Sequence, residues 1–263
     1  MKSINYLYIN SMIFYWECGM PKWCDIELYN KDSGGIDSAE DMLEMAEFLG
    51  YRLVSFAGFR EWSPVFLEYK TLASSYGLDY VSRIDIIGTT VSEIKFYLKK
   101  YRKKVELIVA HPRNIQTARF CARDRRIDAI HFNYEYEFYD ITQLKLMYHN
   151  EKFIELSIRP LLKSFYGKDF KKTLMAYVSI AKLIRITNVS LIMTSGATRK
   201  KEMKDPRSIL SLWRLLTNKN FINYMPYRIY VERIINRIEQ NREKLSGRYI
   251  LPGVHLADSH EEN

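Results

Sequence analysis

The sequence predicts an α/β fold, built as a single (β/α) barrel that is irregular or incompletely closed, with an extra C-terminal basic helix. Three observations predict it. Apolar runs of strand length alternate with helical patterns from about residue 23 to residue 216, and repeated β–α units imply right-handed crossovers and a parallel sheet. No Gly-rich dinucleotide fingerprint follows any strand, which removes the best positive sign of an open doubly wound sheet. A chain of 263 residues with 47% hydrophobic content also has the length of one ordinary barrel, although length alone admits two small domains.

The elements follow in order. Trp23–Leu28 is the first strand run. Ser38 then reads as the N-cap of a helix with the stripe Ala39, Met42, Leu43, Ala46, and Gly50 stands at its C′ position. Arg52–Phe56 is the second strand, and a helical stretch through Val65–Tyr76 ends at Gly77. The third strand is Tyr80–Ile86. Thr90 and Glu93 form a capping-box pattern before Ile94, Tyr97, Leu98 and Tyr101, which recur at i, i+3, i+4, i+7.

Val105–Ala110 is a continuous apolar run of the kind buried on both faces of a parallel sheet. Asn114 can cap a helix carrying Ile115, Ala118 and Ala122. Ala129–Phe132, Phe153–Ile158 and Val189–Met193 are three more strands, and the last two enclose a helix with Leu174, Tyr177, Val178 and Ala181 on one face. Asp205-Pro206 reads as N-cap and N1 of a helix with the stripe Ile209, Leu212, Trp213, Leu216. Seven strands are placed this way and an eighth is not.

Beyond them, Val231, Ile234, Ile235 and Ile238 mark one more amphipathic helix, whose other face carries Arg233, Arg237, Arg242 and Lys244 and reads either as ordinary solvated surface or as a phosphate contact. The expected divisions are therefore an N-terminal extension at 1–19, the barrel at 20–222, the basic helix at 223–250, and a polar, disordered tail at 251–263. Tyr6–Cys18 is rich in aromatic and aliphatic residues. It contains Asn10, Ser11 and Glu17, lacks a small-residue cleavage site, and is too short to span a bilayer, so it reads as neither signal peptide nor membrane anchor.

The chain has 40 Lys and Arg against 31 Asp and Glu, a net charge of +9, a balance that favours a polyanionic partner. The excess is uneven, with 13 basic against 5 acidic residues between Ser195 and Ile250. Cys18, Cys24 and Cys121 form no CxxC pair, so neither a disulfide framework nor a cysteine zinc site is expected, and a reducing cytoplasm is the simple reading.

A barrel that does chemistry places its groups at the C-terminal ends of its strands. Those positions read Asp25 and Glu27, Arg83 and Asp85, His111, Asn133, Arg159, then Ser195-Gly196-Ala197. The rim is rich in arginine and poor in metal ligands. Five histidines are present without HxH or HExxH, and only His111 is placed at a strand end, so no catalytic residue and no metal ligand is assigned. Asp25 and Glu27 share one strand face; they either form a carboxylate pair or close the mouth against a rim arginine. Ser195 lies outside any GxSxG elbow, and its small neighbours read as a tight turn or as backbone N–H groups open to phosphate.

Arginine is the better sign, since its planar fork matches phosphate and stacks on bases. Arg83, Arg113, Arg159, Ser195, Arg199, Lys200, Lys201 and Lys204 are therefore the candidate RNA-binding or assembly residues. Arg83→Ala or Arg159→Ala should weaken RNA binding or assembly without unfolding the barrel. For these two arginines the competing reading is a buried bridge to Asp25, Glu27 or Asp85. For the Arg199–Lys204 run it is a solvated basic loop.

Several segments together resemble a known family. They are Tyr80-Val81-Ser82-Arg83-Ile84-Asp85-Ile86, Arg126-Ile127-Asp128-Ala129-Ile130, Phe153-Ile154-Glu155-Leu156-Ser157-Ile158-Arg159-Pro160, and Leu191-Ile192-Met193-Thr194-Ser195-Gly196-Ala197 followed by Asp205-Pro206-Arg207. In order and spacing, over about residues 20–220, they resemble archaeal RNase P protein component 3 and its eukaryotic thirty-kilodalton counterpart.

The resemblance implies a TIM-like barrel related to the polymerase-and-histidinol-phosphatase group but lacking that group's metal ligands. It implies a subunit of ribonuclease P that binds the RNase P RNA and assists removal of the 5′ leader from precursor tRNA. RNase P protein component 2 is the implied direct partner among the protein subunits. No cofactor is expected on this chain; magnesium is expected with the RNA. The alternatives are a metal-dependent phosphoesterase on the same barrel and an RNP scaffold unconnected with tRNA processing.

Overall fold

The computed structural model describes residues 23–217, 225–247, 249–251 and 254–255. The N-terminal extension and the tail residues 256–263 lie outside the described residues. Strands β1 (Trp23–Leu28), β2 (Tyr51–Phe56) and β3 (Asp79–Tyr80) form one parallel sheet in that order. A second parallel sheet runs β4 (Arg83–Gly88), β5 (Leu107–Pro112), β6 (Ala129–His131), β7 (Phe153–Ser157), β8 (Ser190–Thr194).

Between them pass helices α1 (Ala39–Phe48), α2 (Val65–Ser75), α3 (Val91–Tyr101), α4 (Ile115–Arg123), α5 (Ile141–His149), α6 (Arg159–Ser164) and α7 (Phe170–Thr187). Helices α8 (Pro206–Thr217) and α9 (Met225–Leu245) follow β8, and a short antiparallel pair, β9 (Tyr249–Leu251) with β10 (Val254–His255), comes last.

The caps form where the residue types require them. Ser38 accepts from the Asp41 amide, Thr90 from Glu93, and Asn114 from Thr117. At Thr90 the return bond differs from the pattern, because the Glu93 carboxylate takes the amide of Thr89. Asp205 accepts from the Arg207 and Ser208 amides ahead of α8, as the Asp-Pro pair predicts. Two helices were not anticipated: α5, capped by Asp140, and the short α6, which starts at Arg159-Pro160.

The two sheets form one barrel. The expected third strand is one segment that changes neighbour at Val81-Ser82: its first residues pair with β2 and its remainder with β5. At the other seam, β1 and β8 share no backbone ladder. They are held there by the Tyr29 amide donating to the Ala197 carbonyl at 2.9 Å and by side chains of β1 and β8. The barrel is thus irregular and incompletely laddered, with seven strand positions. The eighth strand run arises only from the split of the third, and among the described residues none stands between β8 and β1.

Helix α9 lies across the bottom of the barrel, burying Val231, Ile234 and Ile238. Its basic residues reach the N-terminal ends of the strands. Arg237 Nε donates to Asp128 Oδ1 at 2.8 Å, and Arg242 donates to both Asp79 oxygens and to Glu106 Oε1 at 2.7–2.8 Å. Arg233 Nη1 donates to Ser190 Oγ at 3.2 Å. The expectation that this face is solvated or meets phosphate is corrected for Arg237 and Arg242. Buried carboxylates need partners, and these guanidiniums supply them.

Candidate functional site

The C-terminal ends of the strands open onto a mouth whose centre is a buried ionic cluster. Asp25 and Glu27 alternate with apolar neighbours on β1, so both point inward. The Ser195 amide lies 3.2 and 3.3 Å from the Asp25 oxygens, and Thr194 Oγ1 donates to Glu27 Oε2 at 2.5 Å. Tyr29 Oη donates to Glu27 Oε1 at 3.2 Å. Burial pushes the Asp25 carboxyl up to about 7, against the pull of its bonds from Ser195 and Glu27.

Arg83 occupies the middle of this cluster with no solvent exposure. Its Nε donates to Asp85 Oδ1 at 2.8 Å and its Nη1 to the Ile26 carbonyl at 2.6 Å. Nη1 and Nη2 grip Glu155 Oε1 and Oε2 at 2.5 and 2.9 Å. The expectation that Arg83 meets RNA is therefore corrected: its fork is spent on two buried carboxylates, which would otherwise be unpaired in the interior. Burial opposes ionisation of Asp85, but Arg83 outweighs it and holds that carboxyl well below its ordinary range.

Two histidines complete the cluster. The rings of His111 and His131 stack at 4.6 Å, and His111 Nε2 lies 3.3 Å from Asp85 Oδ1. His131 Nδ1 lies 3.0 Å from Glu155 Oε2 and 3.8 Å from Glu27 Oε1. Burial disfavours its charged form, yet Glu27 and Glu155 prevail and raise its pKa. The placing of His111 as the only strand-end histidine is thus corrected. β6 has three residues, so its end is His131 and not Asn133.

Glu155 was missed as well, although a lone carboxylate inside the apolar run Phe153–Ser157 signals an internal partner.

The remaining candidates divide by exposure. Ser195 is buried, its Oγ accepting from the Ala197 amide, so no phosphate reaches it. Arg159 is half-buried, with Nη2 donating to Thr198 Oγ1 at 3.1 Å and its guanidinium 5.7 Å from the Tyr29 ring. Arg113 is exposed and bonds Tyr136 Oη, and Arg199 and Lys201 are exposed. Lys200 pairs with Asp41 at 2.7 Å, and Lys204 is half-buried with its carbonyl taken by Tyr51. The rim therefore presents Arg113, Arg199 and Lys201 outward, with Arg159 at its inner edge. A concavity of about 540 Å³ lies at the opposite end, where Arg233 and Arg237 of α9 face Lys152 and Ser190.

The fold defines the class of protein first. Histidinol phosphate phosphatase from Lactococcus lactis, solved with zinc, L-histidinol and phosphate, matches with a TM-score of 0.56 at 12% identity, over 76% of this chain and 94% of that one. The chain thus has the fold of an α/β barrel. The sequence then fixes the family: residues 23–237 match the model of RNase P subunit p30, so the chain belongs to that family of ribonuclease P subunits. Ribonuclease P protein component 3 of Methanosarcina barkeri is 23% identical over 221 residues, 83% of this chain and 91% of that protein. A chain in the cryo-EM structure of archaeal ribonuclease P with mature tRNA matches with a TM-score of 0.73 at 18% identity, over 91% of this chain and all of that one.

That phosphatase structure contains zinc, and whether the mouth of this barrel suits such an ion is decided by the residues there. Among the described residues, Glu27, His131 and Glu155 place ligand atoms within 4.8 Å of one another. Arg83 already donates to both Glu155 oxygens, and Thr194 and Tyr29 donate to Glu27. A dication there would sit against a fixed guanidinium that already supplies the positive charge. The residues present do not fit the ion.

Proposed function

We propose that this chain is a non-catalytic subunit of ribonuclease P that binds RNA and other protein subunits while the RNA cleaves the 5′ leader from precursor tRNA. The observation that carries this reading is the Arg83 guanidinium, locked between Asp85 and Glu155 at the place where a barrel of this type would do chemistry. The centre of the mouth is occupied by its own ion pairs, and the charge left to a partner lies on the rim at Arg113, Arg159, Arg199 and Lys201. Phosphate contacts there give affinity without sequence readout.

The partners follow from the family: the RNase P RNA, precursor tRNA through the holoenzyme, and RNase P protein component 2. Magnesium belongs to the RNA in this scheme, and the chain carries no cofactor. Three cysteines without a CxxC pair accord with action in the reducing cytoplasm. Affinity purification of the tagged chain from its native cell tests the reading. RNase P RNA and tRNA-processing subunits should co-purify, and their absence sinks it. Stoichiometric zinc or manganese in the purified chain, with phosphatase activity lost in Asp25→Ala, would establish the phosphoesterase alternative.

A further inference from the structure

The turn between α6 and α7 leaves aromatic surface in water that the fold does not use. Tyr166 is 97% exposed and Phe165 54% exposed. The turn itself is built: the Gly167 amide donates to the Ser164 carbonyl at 2.7 Å, and the Phe165 ring lies edge-on against both Tyr166 and Phe170 at 5.0 Å. Phe170 packs against the core. Phe165 is thereby braced from below and holds Tyr166 outward.

The charge around these rings is one-sided. Residues 163–172 contain four lysines and one aspartate, and Lys168, Lys171 and Lys172 are exposed. The first turn of α7 holds no acidic residue, although cations there are disfavoured by the helix dipole. The lysines are therefore not placed for helix stability. A protein-docking surface has the reverse arrangement, because lysine is depleted from interface cores. An aromatic face among lysines is what single-stranded nucleic acid meets, the ring taking a base and the ammonium groups its phosphates.

We propose that Tyr166, braced by Phe165, is a stacking platform for an unpaired RNA base, with Lys168, Lys171 and Lys172 neutralising the flanking phosphates. The platform rests on the RNA-binding role proposed above and assigns it a surface outside the arginine rim. It follows directly from α6, whose first residue is Arg159, so it extends the C-terminal face of the barrel.

The test is fluorescence anisotropy of the full chain with labelled oligouridylate across a salt series. Tyr166→Ala should bind about tenfold more weakly with the salt slope unchanged, the loss of one stacked base. Tyr166→Trp should bind as the wild type does, while Tyr166→Leu should be as weak as the alanine variant. Replacing Lys168, Lys171 and Lys172 together by Ala should flatten the log–log salt slope by about 2. Because Tyr166 is almost wholly exposed, these variants should melt as the wild type does.

Wild-type affinity in Tyr166→Ala overturns the proposal, and so does wild-type affinity in Tyr166→Leu, because leucine offers no ring for a base to stack on. If the wild type binds no oligouridylate yet co-purifies with RNase P RNA, the platform fails and the subunit role stands. If it does not co-purify yet Tyr166→Ala weakens binding tenfold, the platform stands and the subunit role fails.

Discussion

Arg83 and Glu155 form a two-pronged ion pair inside the barrel, Nη1 to Oε1 at 2.5 Å and Nη2 to Oε2 at 2.9 Å, with neither side chain exposed. They come from strands three positions apart in the second sheet, so the pair spans the interior. Removing one partner of such a pair leaves a buried charge uncompensated, at a cost of about 3–5 kcal/mol. Arg83→Ala should therefore lose stability on that scale in urea denaturation, contrary to the expectation that it would spare the fold. Arg83→Lys should lose less, keeping the charge without the fork. A wild-type midpoint in Arg83→Ala would show the guanidinium free to meet a ligand.

Asp25 gives a pH dependence of unusual sign. Its folded pKa, about 7, lies above the ordinary value of 3.8 because burial disfavours the carboxylate. The folded state then holds the proton that the unfolded state releases, so stability from this group falls as pH rises from about 4 to about 7 and is level above that. The opposite sign holds for the depressed carboxyls of Asp85, Asp128 and Glu155, so a comparison isolates Asp25. Asp25→Asn should gain on the wild type by a few kcal/mol between pH 4 and pH 8, measured as paired urea midpoints. A difference independent of pH would mean that Asp25 titrates normally in the fold.

What the sequence made legible follows from the range of the interactions. Caps such as Ser38 and Asn114 are local, reaching three residues, and they form where the residue types place them. The Asp25–Glu27 pair is equally local, two residues on one strand face. His131 and Glu155 acquire meaning only through Arg83, 48 and 72 residues away in sequence, which no period reveals. The arginines of α9 were visible as charge, but their partners Asp79, Glu106 and Asp128 stand more than 100 residues earlier. Helix α5 was readable from Asp140, Leu144 and Met147, but the aromatic-rich stretch before it, residues 132–139, obscured where the strand stopped.

Gly196 sets how closely β8 approaches β7. It has φ +62°, and a Cβ there would lie 2.2 Å from Ser157 Oγ and 2.9 Å from Arg159 Cβ. Alanine would combine a left-handed backbone with overpacking, each costing about 1 kcal/mol or more. Gly196→Ala should lower the melting temperature clearly. It should also displace Arg159, so RNA affinity should fall at temperatures where the variant is still folded. An unchanged melting temperature would show that the turn relaxes freely.

Asp128 fastens α9 to the barrel. Buried, it accepts from Arg102 at 2.6 Å, Arg237 at 2.8 Å, the Ile108 amide at 2.9 Å and Asn241 at 3.1 Å. Asp128→Ala takes the buried carboxylate away from two guanidiniums, the Ile108 amide and the Asn241 side-chain amide, and the loss should reach about 3 kcal/mol. Because α9 is held by the strand ends it covers, it should loosen first. Limited proteolysis should cut within 225–245 sooner in the variant than in the wild type. Equal protection of α9 in both would show that Val231, Ile234 and Ile238 suffice to hold it.

The division of the basic residues into clamp and rim makes a final prediction about salt. Each phosphate neutralised adds roughly −0.7 to the log–log slope for single-stranded RNA, and a cation bound to a buried carboxylate adds nothing because it releases no counterion. Arg113, Arg199 and Lys201 are exposed on the rim, so their joint replacement by Ala should flatten the slope by about 2 and leave the urea midpoint unchanged. Arg237→Ala and Arg242→Ala should do the reverse, lowering the midpoint at an unchanged slope, because both side chains serve Asp128, Glu106 and Asp79. A slope that responds to the α9 arginines and not to the rim would move the RNA to the bottom of the barrel, into the concavity lined by Lys152, Arg233 and Arg237.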